Sequence, residues 1–75
     1  MTIRSMIRRL ADPAARWIYA RKSGDPAAAQ VALEAYQGAI DALEAAALAA
    51  DDAEGLAAVE RERAFIASAP GATGA

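Results

Sequence analysis

Cysteine and histidine are both absent from the 75 residues. Without them there is no disulfide and no zinc site of the usual nitrogen and sulfur donors, and the commonest general base is missing. No cofactor, no metal and no catalytic residue is expected. The hydroxyls of Thr2, Ser5, Ser23, Ser68 and Thr73 have no imidazole to activate them, which excludes hydrolytic triads. Glycine clusters are missing as well: Gly24, Gly38 and Gly55 stand alone, so no glycine-rich loop exists to cradle a phosphate. Aromatic side chains are limited to Trp17, Tyr19, Tyr36 and Phe65, and Tyr36 and Phe65 read as core residues rather than as a stacking platform.

Long apolar runs are missing too. Asp41 and Glu44 interrupt the most apolar stretch, and nothing approaches the roughly 18 to 20 residues of a membrane-spanning helix. The start of the chain lacks the h-region of a secretory signal and only superficially looks like a mitochondrial presequence, so a cytoplasmic location is expected. Carboxylate chemistry is thinly supported. Asp41 and Glu44 fall on neighbouring helical turns, as ordinary solvated charges do. Asp51, Asp52 and Glu54 lack the ligand spacing and central glycine of a calcium loop, so helix capping is the better reading.

What the chain does have is alanine. Of its hydrophobic residues 24 are Ala and 18 are larger, a composition that favours closely packed helices over sheets and gives a thin core for a monomer. An all-α fold follows. Two Asp-Pro pairs, Asp12-Pro13 and Asp25-Pro26, each look like an N-cap followed by proline at the first helical position. Ser23-Gly24 supplies a stop between them.

From Pro26 to about Ala50, Leu33, Tyr36, Ile40, Leu43, Ala47 and Ala50 recur at spacings of three and four, a heptad seam. Leu56, Val59 and Ile66 continue the period but slip out of register, and Asp51 with Glu54 resembles a capping box. A tight turn near residues 50–54 making an antiparallel Ala-rich hairpin explains the slip, with one long stuttering helix as the rival. Gly55 weakens the first turn of the second hairpin helix, and Gly38, in the middle of the first, suggests a close helix crossing. Pro70-Gly71 ends the hairpin. The expected organisation is a basic amphipathic arm over residues 1–24, kinked or restarted at Pro13, an acidic hairpin over 25–68 and a disordered tail over 69–75.

Charge separates along the same line. Residues 1–24 carry six cations (Arg4, Arg8, Arg9, Arg16, Arg21, Lys22) against Asp12, a net of +5, whereas the remainder carries nine acids against Arg61 and Arg63, a net of -7. Such asymmetry points to an anionic partner, a membrane surface or the chain's own acidic half. Ile3, Met6, Ile7 and Leu10 lie on one helical arc and Arg4, Ser5, Arg8 and Arg9 on the other. That apolar arc either packs on the hairpin or docks in another protein's groove, while Arg21 interrupts it near its end.

The function expected from these features is that of a small non-enzymatic helical adaptor or assembly factor. It would form a homo-oligomer by self-association along Leu33, Tyr36, Ile40 and Leu43, and dock on a larger protein partner through Arg4, Arg8, Arg9, Trp17 and Ile18. One alternative is a phage-like head or packaging accessory, on architectural analogy. The other is a peripheral membrane-surface protein using the basic N-terminal helix, with Trp17 and Tyr19 at the interface. Nucleic acid is the least supported partner, because a chain of pI ≈ 4.9 repels the same phosphates that its arm would attract.

Overall fold

The computed structural model describes residues 2–69 and places them in four helices: α1 Ile3–Arg9, α2 Ala11–Lys22, α3 Pro26–Ala50 and α4 Ala53–Ser68. No strand occurs among the described residues, and the fold is all-α. α3 is the central element. α2 packs on it with Trp17 against Tyr36, α4 folds back along it so that Glu62 and Arg63 meet Tyr36, Asp41 and Glu44, and α1 brings Ile3 to Gly55 and Ala47 beside the hairpin turn. None of these helices is long and apolar enough to cross a membrane.

The helix boundaries follow from local chemistry, with two shifts from the sequence reading. At the second Asp-Pro pair the expectation holds. Gly24 takes φ +75°, and the Asp25 side chain accepts a hydrogen bond from the Ala28 amide at 3.1 Å with Pro26 opening α3. At the first pair the break lies earlier, at Leu10, and Asp12 caps nothing. Proline lacks an amide hydrogen and its ring crowds the carbonyl four residues back. Pro13 therefore disturbs the helix around Arg9 and Leu10, where the Leu10 amide shortens its bond to Ile7 (3.2 Å). Asp12 instead pairs with Arg16 one turn on, at 3.3 Å.

The hairpin turn is tighter than expected and its cap moves by one residue. Asp51 adopts the left-handed conformation (φ 52°, ψ 47°). Its amide donates to the Leu48 carbonyl, and the Asp52 amide donates to Ala47, which is the pattern of a Schellman stop with aspartate where glycine is usual. The N-cap of α4 is then Asp52, whose Oδ1 accepts from the Gly55 amide at 3.0 Å. Asp51 and Glu54 form no capping box. The stop of the hairpin at Pro70-Gly71 and the tail beyond Ala69 lie outside the described residues.

The core is built from all four segments. Leu10, Trp17, Tyr36, Ile40, Leu43, Ala58 and Val59 form its buried centre, with Ile3, Met6, Ile7, Ala14, Ile18, Leu33 and Ile66 packed around it. Trp17 lies at its heart, its ring 5.9 Å from Tyr36 and 5.9 Å, edge-on, from Phe65. Phe65 itself remains 42% exposed, so it lines the edge of the core rather than its centre. The Tyr36 hydroxyl donates to Glu62 Oε1 at 2.6 Å, which satisfies the phenol without opening the core to water.

The two helix-interior glycines exchange roles relative to expectation. A Cβ at Gly38 would meet nothing within 4 Å, so no close crossing explains that residue. A Cβ at Gly55 would lie 2.8 Å from the Ala47 Cβ and 2.9 Å from the Ile3 Cγ2. Gly55 is where α4, α3 and α1 come together, and only a residue without a side chain fits there.

Candidate functional site

α1 and α2 together form one basic layer whose inner side is core and whose outer side is charged. In α1 the Thr2 hydroxyl caps the first turn by accepting from the Ser5 amide at 3.0 Å, and the helix then turns Ile3, Met6 and Ile7 onto the core. Helical spacing turns Arg4, Arg8 and Arg9 outward, and all three are exposed. α2 extends the layer with Arg16 and Lys22. Arg21, which breaks the apolar arc in the sequence, lays its guanidinium over the Trp17 ring with its carbon 4.9 Å from the centroid. That contact lets a cation border the core without being buried bare.

Of the five residues expected to contact a partner, the structure places three at the surface and two in the core. Trp17 is 2% exposed and Ile18 is half-buried against the core cluster. Each is held by the fold, and neither is presented to a partner. Arg4 reaches towards Glu54 of α4 at 3.9 Å, with both side chains mostly exposed, a separation and setting that contribute little. Arg8, Arg9 and Lys22 have no carboxylate within ion-pair distance among the described residues.

The residues expected to form a self-association seam are elsewhere engaged. Tyr36, Ile40 and Leu43 are 0%, 1% and 0% exposed, and Leu33 is half-buried against the same cluster. The heptad read along α3 is real, but α1, α2 and α4 of the same chain cover it. A second copy does not reach these side chains while the fold is intact.

A cluster that sequence reasoning missed lies across the hairpin. Arg63 of α4 donates to Glu44 through Nη1 (2.8 Å) and Nη2 (3.0 Å), and its Nη2 also bonds Asp41 at 3.0 Å. The hydrogen bonds from Arg63 hold the Glu44 carboxyl below the ordinary carboxylate range, and the two carboxylates in turn push the guanidinium upward. The signal in the sequence was the second arginine of the run Glu60-Arg61-Glu62-Arg63 opposite two acids spaced three apart. Burial, with the Glu62 hydrogen bond second, raises the Tyr36 phenol well above its usual value.

Several hydroxyls and carboxylates of the described residues are engaged in structural bonds. Ser23 and Ser68 donate to backbone carbonyls at 2.8 and 3.2 Å, and Thr2 is a cap. No group of three or more Asp or Glu side chains converges as a metal site would require among the described residues. Tyr36 and Glu62 pair a phenol with a carboxylate, yet Tyr36 is sealed within the core.

Compared with known family models, curated proteins and solved structures, the chain matches none.

Proposed function

We propose that this chain is a small non-enzymatic helical adaptor or assembly factor whose α1–α2 face docks on an acidic surface of a larger protein. One observation carries the reading. The apolar side of the arm is folded into the core, while Arg8, Arg9 and Lys22 stand exposed and, among the described residues, unpaired on a chain that carries nine acids beyond residue 24. Uncompensated like charges on the arm repel unless a partner neutralises them, and helices that are already folded present them without an ordering cost at binding. Arginine adds planar, bidentate donors suited to carboxylates.

The membrane-surface alternative asks more of the molecule. Its anchors would be Trp17, Tyr19 and the apolar arc of α1; Tyr19 is exposed, but Trp17 and the arc are packed into the core. Anchoring would require the arm to leave the core, at the loss of the largest buried side chain in the protein.

The reading is tested in cells of the source organism with a photo-crosslinking residue placed at Arg8 in one variant and at the exposed Ala64 of α4 in another. The expected result is a specific protein, acidic at the contact, captured from the arm position, absent from the α4 position and lost on the double change Arg4→Glu, Arg9→Glu. Equal capture from both positions, or capture indifferent to charge reversal, would overturn it. Circular dichroism of the reversed variant should keep the wild-type helicity, because these side chains are exposed.

A further inference from the structure

The chain presents two oppositely charged faces that do not neutralise each other. The basic one is the outer side of α1 and α2. The acidic one is organised by Arg63, which draws Asp41 and Glu44 to one side of the α3–α4 pair. Glu34, two turns before Asp41 on α3, and Glu60, one turn before Arg63 on α4, project to that same side by helical spacing. Those four acids around one arginine leave a net of -3 on this face. α2 and α4 each pack on α3 and not closely on each other, and no ion pair among the described residues joins Arg8, Arg9 or Lys22 to these acids. Arg4–Glu54, at 3.9 Å, links the arm to the outer edge of α4 rather than to this face.

We infer that a second copy of this chain occupies the basic face: α1–α2 of one molecule docks on the Glu34–Asp41–Glu44–Glu60 face of the next. The inference rests on the reading of α1–α2 as a docking face and names one partner for it. Charge complementarity carries the argument. The acids on α3 span ten residues, about 15 Å at 1.5 Å per residue, close to the length of α2 alone, about 18 Å. Because the two contacting faces differ, the contact is head-to-tail and leaves one basic and one acidic face open at the ends. Assembly then grows with concentration and does not stop at a dimer. Because the pairs are exposed, each contributes little and salt screens them, so the association is weak and salt-sensitive. It also relocates self-association away from Tyr36, Ile40 and Leu43, whose side chains the intramolecular core already holds.

Sedimentation equilibrium on the pure full chain tests this. In about 0.01 M salt, where the Debye length is about 30 Å, the average mass should exceed the 7.7 kDa monomer and climb with concentration. In about 1 M salt, where that length falls to about 3 Å, it should return to the monomer. The pair Arg8→Gln, Arg9→Gln removes one face, and the pair Glu34→Gln, Glu60→Gln weakens the other. Each variant alone should stay near monomer mass, and an equimolar mixture should form a one-to-one dimer that grows no further. A wild-type chain that is monomeric at low salt, an association that survives high salt, or a mixture that stays monomeric would overturn the inference. If the chain is monomeric while the arm still captures a host protein, the docking reading stands and only the second copy is excluded. If the chain assembles as described and captures nothing else, the second copy is the partner and the larger one falls.

Discussion

Replacing Gly55 by alanine probes the point where three helices meet. The added Cβ would sit 2.8 Å from the Ala47 Cβ and 2.9 Å from the Ile3 Cγ2, whereas carbon atoms prefer about 3.5–4.0 Å. Ala47 cannot rotate its methyl away, and Ile3, being β-branched, turns only reluctantly about χ1. The first turn of α4 must therefore withdraw by about 1 Å, loosening the seal over Ala47 and the Asp52 cap. Overpacking of this kind costs about 1–3 kcal/mol. Alanine's higher helix propensity offsets up to about 1 kcal/mol of that, less so in a first turn. A net loss of about 1–2 kcal/mol should lower the thermal midpoint by several degrees, at about 4–8 °C per kcal/mol for a domain of this size. Gly38→Ala is the matched control: identical chemistry, no neighbour within 4 Å, and an expected gain approaching 1 kcal/mol. Urea and thermal melts followed by circular dichroism would read both. Shifts of the two variants in the same direction would refute the packing described around Gly55.

Four further outcomes follow from the same geometry. Leu43→Asp should abolish the cooperative melt, because it places an unpaired charge at a fully buried position, whereas Glu34→Ala, on an exposed residue that accepts from Gln30, should shift the midpoint little. Trp17→Ala should remove about 3–5 kcal/mol, enough to leave a domain of this size largely unfolded by near-ultraviolet dichroism. Asp51→Gly should stabilise the hairpin by about 0.5 kcal/mol in urea titrations, since glycine adopts the left-handed conformation without a Cβ penalty. The Arg63 cluster should give an acid-side pH dependence. The folded state holds the Glu44 proton more weakly than the unfolded chain, so its contribution is present above the ordinary carboxylate value near about 4.3 and is lost as pH falls below it. Arg63→Leu should therefore show a smaller fall in midpoint between about pH 6 and about pH 3 than the wild type. An equal fall would remove the clamp from the stability account.

The sequence by itself determined the all-α class, the stop at Ser23-Gly24 and the start at Asp25-Pro26, and it favoured a hairpin over one long helix. These are set within a few residues, by propensity, capping chemistry and the period of the large side chains, and they require no knowledge of what packs on what. It also made legible that the arm and the hairpin differ in charge. Tertiary structure decided what the pattern could not: which surface covers each apolar stripe. The α3 heptad reads identically whether a second copy or the chain's own α2 and α4 fills it, and Trp17 looks the same from the sequence as an anchor for a partner or as the centre of a core. Gly38 and Gly55 were likewise indistinguishable until neighbours were placed around each of them, and the Arg63 cluster joins residues 19 and 22 apart that only the hairpin brings together. The pairing of surfaces depends on three-dimensional register and on competition among all apolar faces for one small core, and local sequence fixes neither.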